Sequence, residues 1–223
     1  MLKNKKASSK EKPELYTEIY LIRHCQPDYS LEKESAGDMP LSKWGRQQGR
    51  YLLRSLKNLP FDKIYASALK RAQESARPLA KLRKKRLFID ESLNEIDWQN
   101  WLIPSYRRLT PLGRQNINKN QAAWQAILDK AVLSVRKTLI NLALENPGKR
   151  LLLFTHGNFI RLAIASLTGA DIFGFNATEI YQSSITKIVF SSDGRAKLSY
   201  VNNFSHLPDD TGENILLAGK KHL

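Results

Sequence analysis

Short apolar runs alternate with helix-patterned segments along most of this chain, and that alternation constrains its fold more than any other feature. "EIYLIR" (18–23), "FDKIYAS" (61–67), "RLFID" (86–90) and "KRLLLFTH" (149–156) are too short for helices and read as buried strands. Between them, "LSKWGRQQGRYLLRSLKN" predicts a helix capped by Ser42, with Leu52, Leu56 and Leu59 on one face. "ALKRAQESARPLAKL" predicts another, with Leu69, Ala72, Ala76, Leu79 and Ala80 at helical spacing and Pro78 kinking or splitting it. A long helix is expected from Gln121 to Leu144, ended by Pro147-Gly148, and "NFIRLAIASLTG" gives one closed by Gly169. "ITKIVFSSDGRAKLSYV" alternates on both sides of Asp193-Gly194, a hairpin signal. Strand–helix alternation implies an α/β fold with a mostly parallel sheet, to which the hairpin adds an antiparallel edge.

The chain has 223 residues, enough for one domain with a real core. The reading is a disordered basic tail over 1–14 and a single domain over 15–223. Residues 96–124, rich in Trp, Pro and Arg, form its lid or insertion. One cysteine permits no internal disulfide and argues against Fe–S or structural zinc sites. No signal-type apolar segment opens the chain, and no run approaches the roughly 18 apolar residues of a membrane span. A cytoplasmic protein with no membrane partner is expected. The net charge of +15 implies affinity for something anionic. It is partly clustered in the tail and in "KLRKKR" (81–86), where the plain reading is a solvated surface. No stacking-aromatic repeat or finger spacing raises the nucleic-acid case. Oligomeric state is not legible, and a homodimer stays open.

Two of the strands end alike. "YLIRH" delivers His24 to the carboxyl end of one and "LLLFTH" delivers His156 to the end of another, directly before a helix. Ligands of open α/β sheets bind at those ends, and the helix starting near Gly157 would aim backbone N–H groups at an anion there. Arg23 and Arg71 could reach the same point. Two guanidiniums and two imidazoles around one centre suit a phosphoryl group. Taken singly, each residue has a bland reading: a structural histidine, a solvated arginine, a strand ending at the surface. The Arg23-His24-Cys25 step alone also admits a metal or redox site.

The ordered blocks resemble the histidine phosphatase superfamily, also called phosphoglycerate-mutase-like. "LIRHCQPD" is similar to its Arg-His-Gly signature and "LSKWGRQQG" to its Leu-Ser/Thr-x-x-Gly-x-x-Gln segment. "FDKIYASALKRAQESARPLA" resembles the block with the pocket arginine, "ESLNEIDW" the block with the catalytic acid, and "LLLFTHGNFIRLAI" the second-histidine block. "YQSSITKIVFSSDGRAKL" and "NNFSHL" match the closing hairpin and the segment after it. The resemblance implies a three-layer sandwich and phosphoryl transfer. His24 would be the nucleophile, forming a phosphohistidine. Arg23, Arg71 and His156 would hold the phosphoryl oxygens, and Glu95 would be the acid and then the base, with Asp97 its rival. Arginines take the place of a metal, so no metal or cofactor is expected. Gln26 and Asn158 flank the histidines as substrate contacts, and Arg107 and Arg108 are placed in the lid as specificity residues. His206 and His222 receive no role beyond surface or packing.

Two departures stand out. Cys25 replaces the family's glycine, so either the backbone is ordinary there or the pocket floor is altered; a redox-sensitive thiol is the second reading. "WQNWLI" lacks the glycines and acids that usually come after the catalytic acid, which bears on where Glu95 sits. "QPDYSLEKESAGDMP" lacks the Trp-Asn and Phe-x-Gly-Trp run of cofactor-dependent mutases, and the stretch from Glu95 to His156 is shorter than theirs. Both favour a metal-independent phosphomonoesterase acting on phosphorylated small molecules, of the broad-specificity and α-ribazole-phosphate kind. The alternatives are mutase-type transfer, or a catalytically weakened phospho-ligand-binding protein on the same fold.

Overall fold

The computed structural model describes residues 15–35, 37–96 and 119–208. The tail over 1–14 and most of the lid expected over 96–124, with Arg107 and Arg108, lie outside them, as do Asp97 and His222. Among the described residues a six-stranded sheet has the order β3-β2-β4-β1-β5-β6. Its strands are β1 (Thr17–Arg23), β2 (Lys63–Ala66), β3 (Leu87–Ile89), β4 (Arg150–Thr155), β5 (Ile185–Phe190) and β6 (Ala196–Asn203). The first four are mutually parallel; β5 runs antiparallel to β1, and β6 to β5. The mixed sheet is the one expected, with Gly194 at φ +81° in the hairpin turn.

Alternation along the central strands builds the layers. Ile19, Leu21, Leu151 and Leu153 face one side; Tyr20, Ile22, Leu152 and Phe154 face the other. The first side is covered by α3 (Gln121–Leu144) and α4 (Gly157–Thr168), through Leu128, Val135, Leu139, Ile160 and Ala163. The second is covered by α1 (Lys43–Leu56) and α2 (Lys70–Leu82), through Leu52, Leu56, Ala72, Ala76 and Leu79. Residues buried on both faces explain why these strands read as continuous apolar runs.

Local chemistry sets the helix ends. Ser42 Oγ accepts from Gly45 N–H at 2.9 Å, a cap of about 1 kcal/mol. Gly169, at φ +68°, terminates α4. Pro78 does not split α2, which continues to Leu82. It stands on the exposed face, so water can satisfy the carbonyl it leaves without an N–H. A short helix, α5 (Ile172–Ala177), was not foreseen; Asp171 caps it through Phe173 and Gly174 N–H.

Candidate active site

β1, β2 and β4 end side by side, and their last residues make the site. His24 N–H donates to Thr155 O at 2.9 Å and Ser67 N–H to Phe154 O at 3.0 Å, so the three strand ends stay in register beyond the ladder. The rings of His24 and His156 lie 5.0 Å apart between centroids. His24 is 3% exposed, His156 0% and Arg71 7%.

The histidines differ in what holds them. His24 Nδ1 lies 2.7 Å from the carbonyl oxygen of Cys25, and its Nε2 faces the Arg71 Nε–H at 3.3 Å. A carbonyl only accepts and a guanidinium only donates. Nδ1 therefore carries the proton and Nε2 presents a lone pair. His156 Nε2 lies 2.7 Å from Ser67 Oγ, while its buried Nδ1 has no partner among the described residues. Ser67 Oγ already accepts from Leu69 N–H at 3.3 Å. With the hydroxyl proton given to Nε2, His156 keeps Nδ1–H as a donor. Burial is the largest cause holding both imidazoles well below the ordinary histidine range. His156, Arg71 and Arg23 add to it at His24, as Arg71 and Arg23 do at His156.

Arg71, in the first turn of α2, also donates from Nη1 to Gly37 O at 3.2 Å. Burial lowers its pKa, opposed by Glu95, Tyr29 and Asp38. The Arg23 guanidinium is anchored through Nη1 to Ile180 O, and its buried Nε has no partner among the described residues. It lies over Gly157, where a Cβ would stand 3.2 Å from Nε. The absent side chain at the start of α4 is what lets the guanidinium lie against that helix end.

Glu95 is brought in by two ties. Thr155 Oγ1 donates to Leu93 O at 2.7 Å, and Asn94 Oδ1 accepts from Ala68 N–H at 2.8 Å. Its Oε1 is buried and unpartnered among the described residues. Burial raises its pKa, opposed by Arg23, Arg71 and the backbone N–H groups of Ile96 and Asn158. Asn158 belongs to the first turn of α4, so the helix end expected to face an anion faces this carboxyl. The Asn158 side-chain oxygen itself accepts from Arg161 at 3.2 Å.

The residues beside His24 are structural ties. Gln26 Oε1 accepts from Ser42 Oγ at 2.7 Å, and Gln26 N–H donates to Gln48 Oε1 at 2.7 Å. A Cβ on Gly45 would fall 2.0 Å from Gln26 O, so only glycine lets α1 approach here. Gln48 is buried, and it fixes the N–H of the peptide whose carbonyl sets the His24 tautomer. In sequence Gln48 carries no role beyond its place in "LSKWGRQQG"; a polar residue at a core position of α1 was the available signal. Cys25 is not among the positive-φ residues, so its backbone is ordinary. Its thiol is fully buried, and burial pushes it up to about 11. A reactive thiol needs the opposite, exposure and a lowered pKa, so the redox reading loses its basis.

A family model, histidine phosphatase superfamily (branch 1), matches residues 19–203. An uncharacterized phosphatase, PhoE, of Bacillus subtilis (strain 168) is 24% identical over 193 residues, which is 86% of this chain and 97% of that protein. The adenosylcobalamin/alpha-ribazole phosphatase of Salmonella typhi is 26% identical over 162 residues, 67% of this chain and 78% of its own. In fold, the chain matches a mutant phosphoserine phosphatase from Entamoeba histolytica solved with phosphoserine. The TM-score is 0.68 at 21% identity, covering 86% of this chain and 100% of that one.

Proposed function

The chain belongs to the histidine phosphatase superfamily, and from that premise we propose that it hydrolyses phosphomonoesters of small metabolites through a phosphohistidine on His24 Nε2. The observation that carries this reading is the His24 tautomer: proton on Nδ1 toward Cys25 O, lone pair on Nε2 beside Arg71.

In the first step the Nε2 lone pair forms the N–P bond as the ester P–O bond breaks. Glu95, whose burial favours the protonated carboxyl, gives its proton to the departing alkoxide. Arg23, Arg71 and the His156 Nδ1–H meet the phosphoryl oxygens. Each such preorganised donor is worth on the order of 10²–10³ in rate. The ring gains positive charge on phosphorylation, and the Nδ1–H bond to Cys25 O stabilises it. In the second step water attacks phosphorus, Glu95 takes its proton, the N–P bond breaks and phosphate leaves with the lone pair back on Nε2.

Gln26 and Asn158, next to the two histidines in the chain, are proposed as substrate contacts, and Arg107 and Arg108, which precede α3 in the chain, as substrate-selecting residues. The two guanidiniums supply the charge a metal would otherwise provide. The buried single thiol suits a reducing cytoplasm, and no helix among the described residues is long and apolar enough to cross a membrane.

The test is turnover of p-nitrophenyl phosphate with and without EDTA, together with acid-quench-free trapping of ³²P on histidine. EDTA-insensitive turnover with label on His24 is expected. No turnover of any phosphomonoester from acid to neutral pH, with phosphate still bound, would instead establish a binding protein.

A further inference from the structure

The "NNFSHL" segment is absorbed by none of the chemistry above, yet it reaches the back of the nucleophile. His206 Nε2 lies 2.8 Å from Ser183 Oγ. Ser183 is fully buried and sits at φ +68°, in a turn closed by Ser184 N–H to Tyr181 O at 3.1 Å. A side-chain-bearing residue adopts that conformation at a cost, and glycine is the usual occupant. The strained backbone aims one N–H at two carbonyls: Arg23 O at 3.1 Å and His24 O at 3.2 Å. On the other side of the same His24–Cys25 peptide, Cys25 N–H donates to Ser75 Oγ at 3.0 Å. Ser75 Oγ in turn donates to Arg71 O at 2.7 Å. The peptide carrying the nucleophile is thus clamped from both faces.

We propose that His206 is a positioning residue for the His24 nucleophile, holding through Ser183 the strained turn whose N–H fixes the Arg23–His24 backbone. The proposal rests on the catalytic reading of His24. Burial keeps His206 neutral, down to about 4, and with its one proton on Nδ1 its Nε2 accepts the Ser183 hydroxyl. The edge-on packing of Phe204 against Tyr181, 4.6 Å between centroids, holds the chain leaving β6 against the same turn. Of the phosphoryl-holding side chains, Arg71 has a separate anchor on Gly37 O, while the Arg23 guanidinium is held on Ile180 O, next to the turn itself. Loss of the clamp therefore misplaces the nucleophile, while Arg71 and His156, held elsewhere, still bind phosphate.

His206→Leu should lower kcat for p-nitrophenyl phosphate about tenfold, since small misplacements at a reacting centre are costly. KM should stay within about twofold. His206→Gln, which can still accept the hydroxyl, should recover most of the rate. Ser183→Gly separates position from strain: glycine adopts the turn without cost and needs no support from His206, so His206→Leu should cost far less kcat in that background than in the wild type. The proposal is overturned if folded His206→Leu keeps wild-type kcat, if Gln is as slow as Leu, or if His206→Leu costs as much in the Ser183→Gly background as in the wild type. Hydrogen exchange at the Ser183, His24 and Cys25 amides should quicken in His206→Leu, and unchanged exchange counts against the clamp. This readout does not need turnover. Should the wild type neither turn over nor take label, the catalytic reading fails while exchange still decides whether His206 holds the backbone.

Discussion

His24 and His156 end neighbouring parallel strands, both deeply buried and both held neutral, yet their surroundings turn opposite hydrogen-bonding faces toward the site. His24 has its proton tied to a backbone carbonyl and its lone pair turned toward Arg71. His156 has one nitrogen tied to the Ser67 hydroxyl and the other left as a free donor among the described residues. A strand end delivers an imidazole; the second hydrogen bond decides whether that imidazole presents a lone pair or an N–H. Two equal strand endings in the sequence are therefore two unequal hydrogen-bond environments in the structure, and the proposed mechanism gives them different roles.

The largest expected effect tests that difference directly. His24→Ala should lose about 10⁴ or more in kcat and show no phosphoenzyme, whereas His156→Ala should lose about 10²–10³ and still label His24, more slowly. Equal loss of label in both, measured by rapid quench, would erase the distinction. Glu95→Gln comes next. For an alkyl phosphate kcat should fall about 10²–10³-fold, and much less for p-nitrophenyl phosphate, whose leaving group needs no proton. Because burial raises the Glu95 pKa, the wild-type rate on the alkyl ester should decline as pH rises through that value.

Ser67→Ala sharpens the comparison from the His156 side. Freed of its hydroxyl partner, His156 no longer has a fixed tautomer, and a loss of about tenfold is expected with the His24 label still formed. A loss as deep as that of His156→Ala would mean that Ser67 does more than set the proton. Stability against pH separates fold from chemistry. His24 and His156 are neutral in the fold but take up protons near 6.5 when unfolded. The native state binds fewer protons, so their contribution is full above 6.5 and is lost as pH falls below it. The slope is about 1.4 kcal/mol per pH unit for each group. Calorimetry from pH 8 to 5 should show the midpoint falling, and less steeply in His156→Gln. The smallest effect is expected from Cys25→Gly: kcat within about twofold, and peroxide no more harmful to wild type than to the variant, since the thiol is buried and packs 3.8 Å from where a Gly49 Cβ would be.

Much of this was legible in the chain. Runs of apolar residues buried on both faces announced parallel strands, and the Ser42 cap, the Gly169 terminus and the Asp193-Gly194 turn marked boundaries through local chemistry alone. The blocks around His24, Arg71, Glu95 and His156 named the residues that the fold then brings together. Pro78 does not act as a breaker because it lies on the helix face that meets water, and sequence does not reveal that face. Cys25 in place of glycine needed the backbone angle, which sequence does not report. His206 carries no signal of its own because its partner, Ser183, lies a whole strand pair away.

The sequence by itself thus determined the architecture, the strand ends and the set of ionisable groups, because periodicity, capping and residue chemistry act over a few neighbouring positions. Only the tertiary structure decided which nitrogen of each histidine carries the proton, that the Glu95 carboxyl is buried beside two guanidiniums, and that Gln48, Ser67, Ser75 and Ser183 tie down the two histidines and the peptides beside them. Those outcomes depend on hydrogen bonds and desolvation between residues far apart in the chain, and no local pattern encodes them.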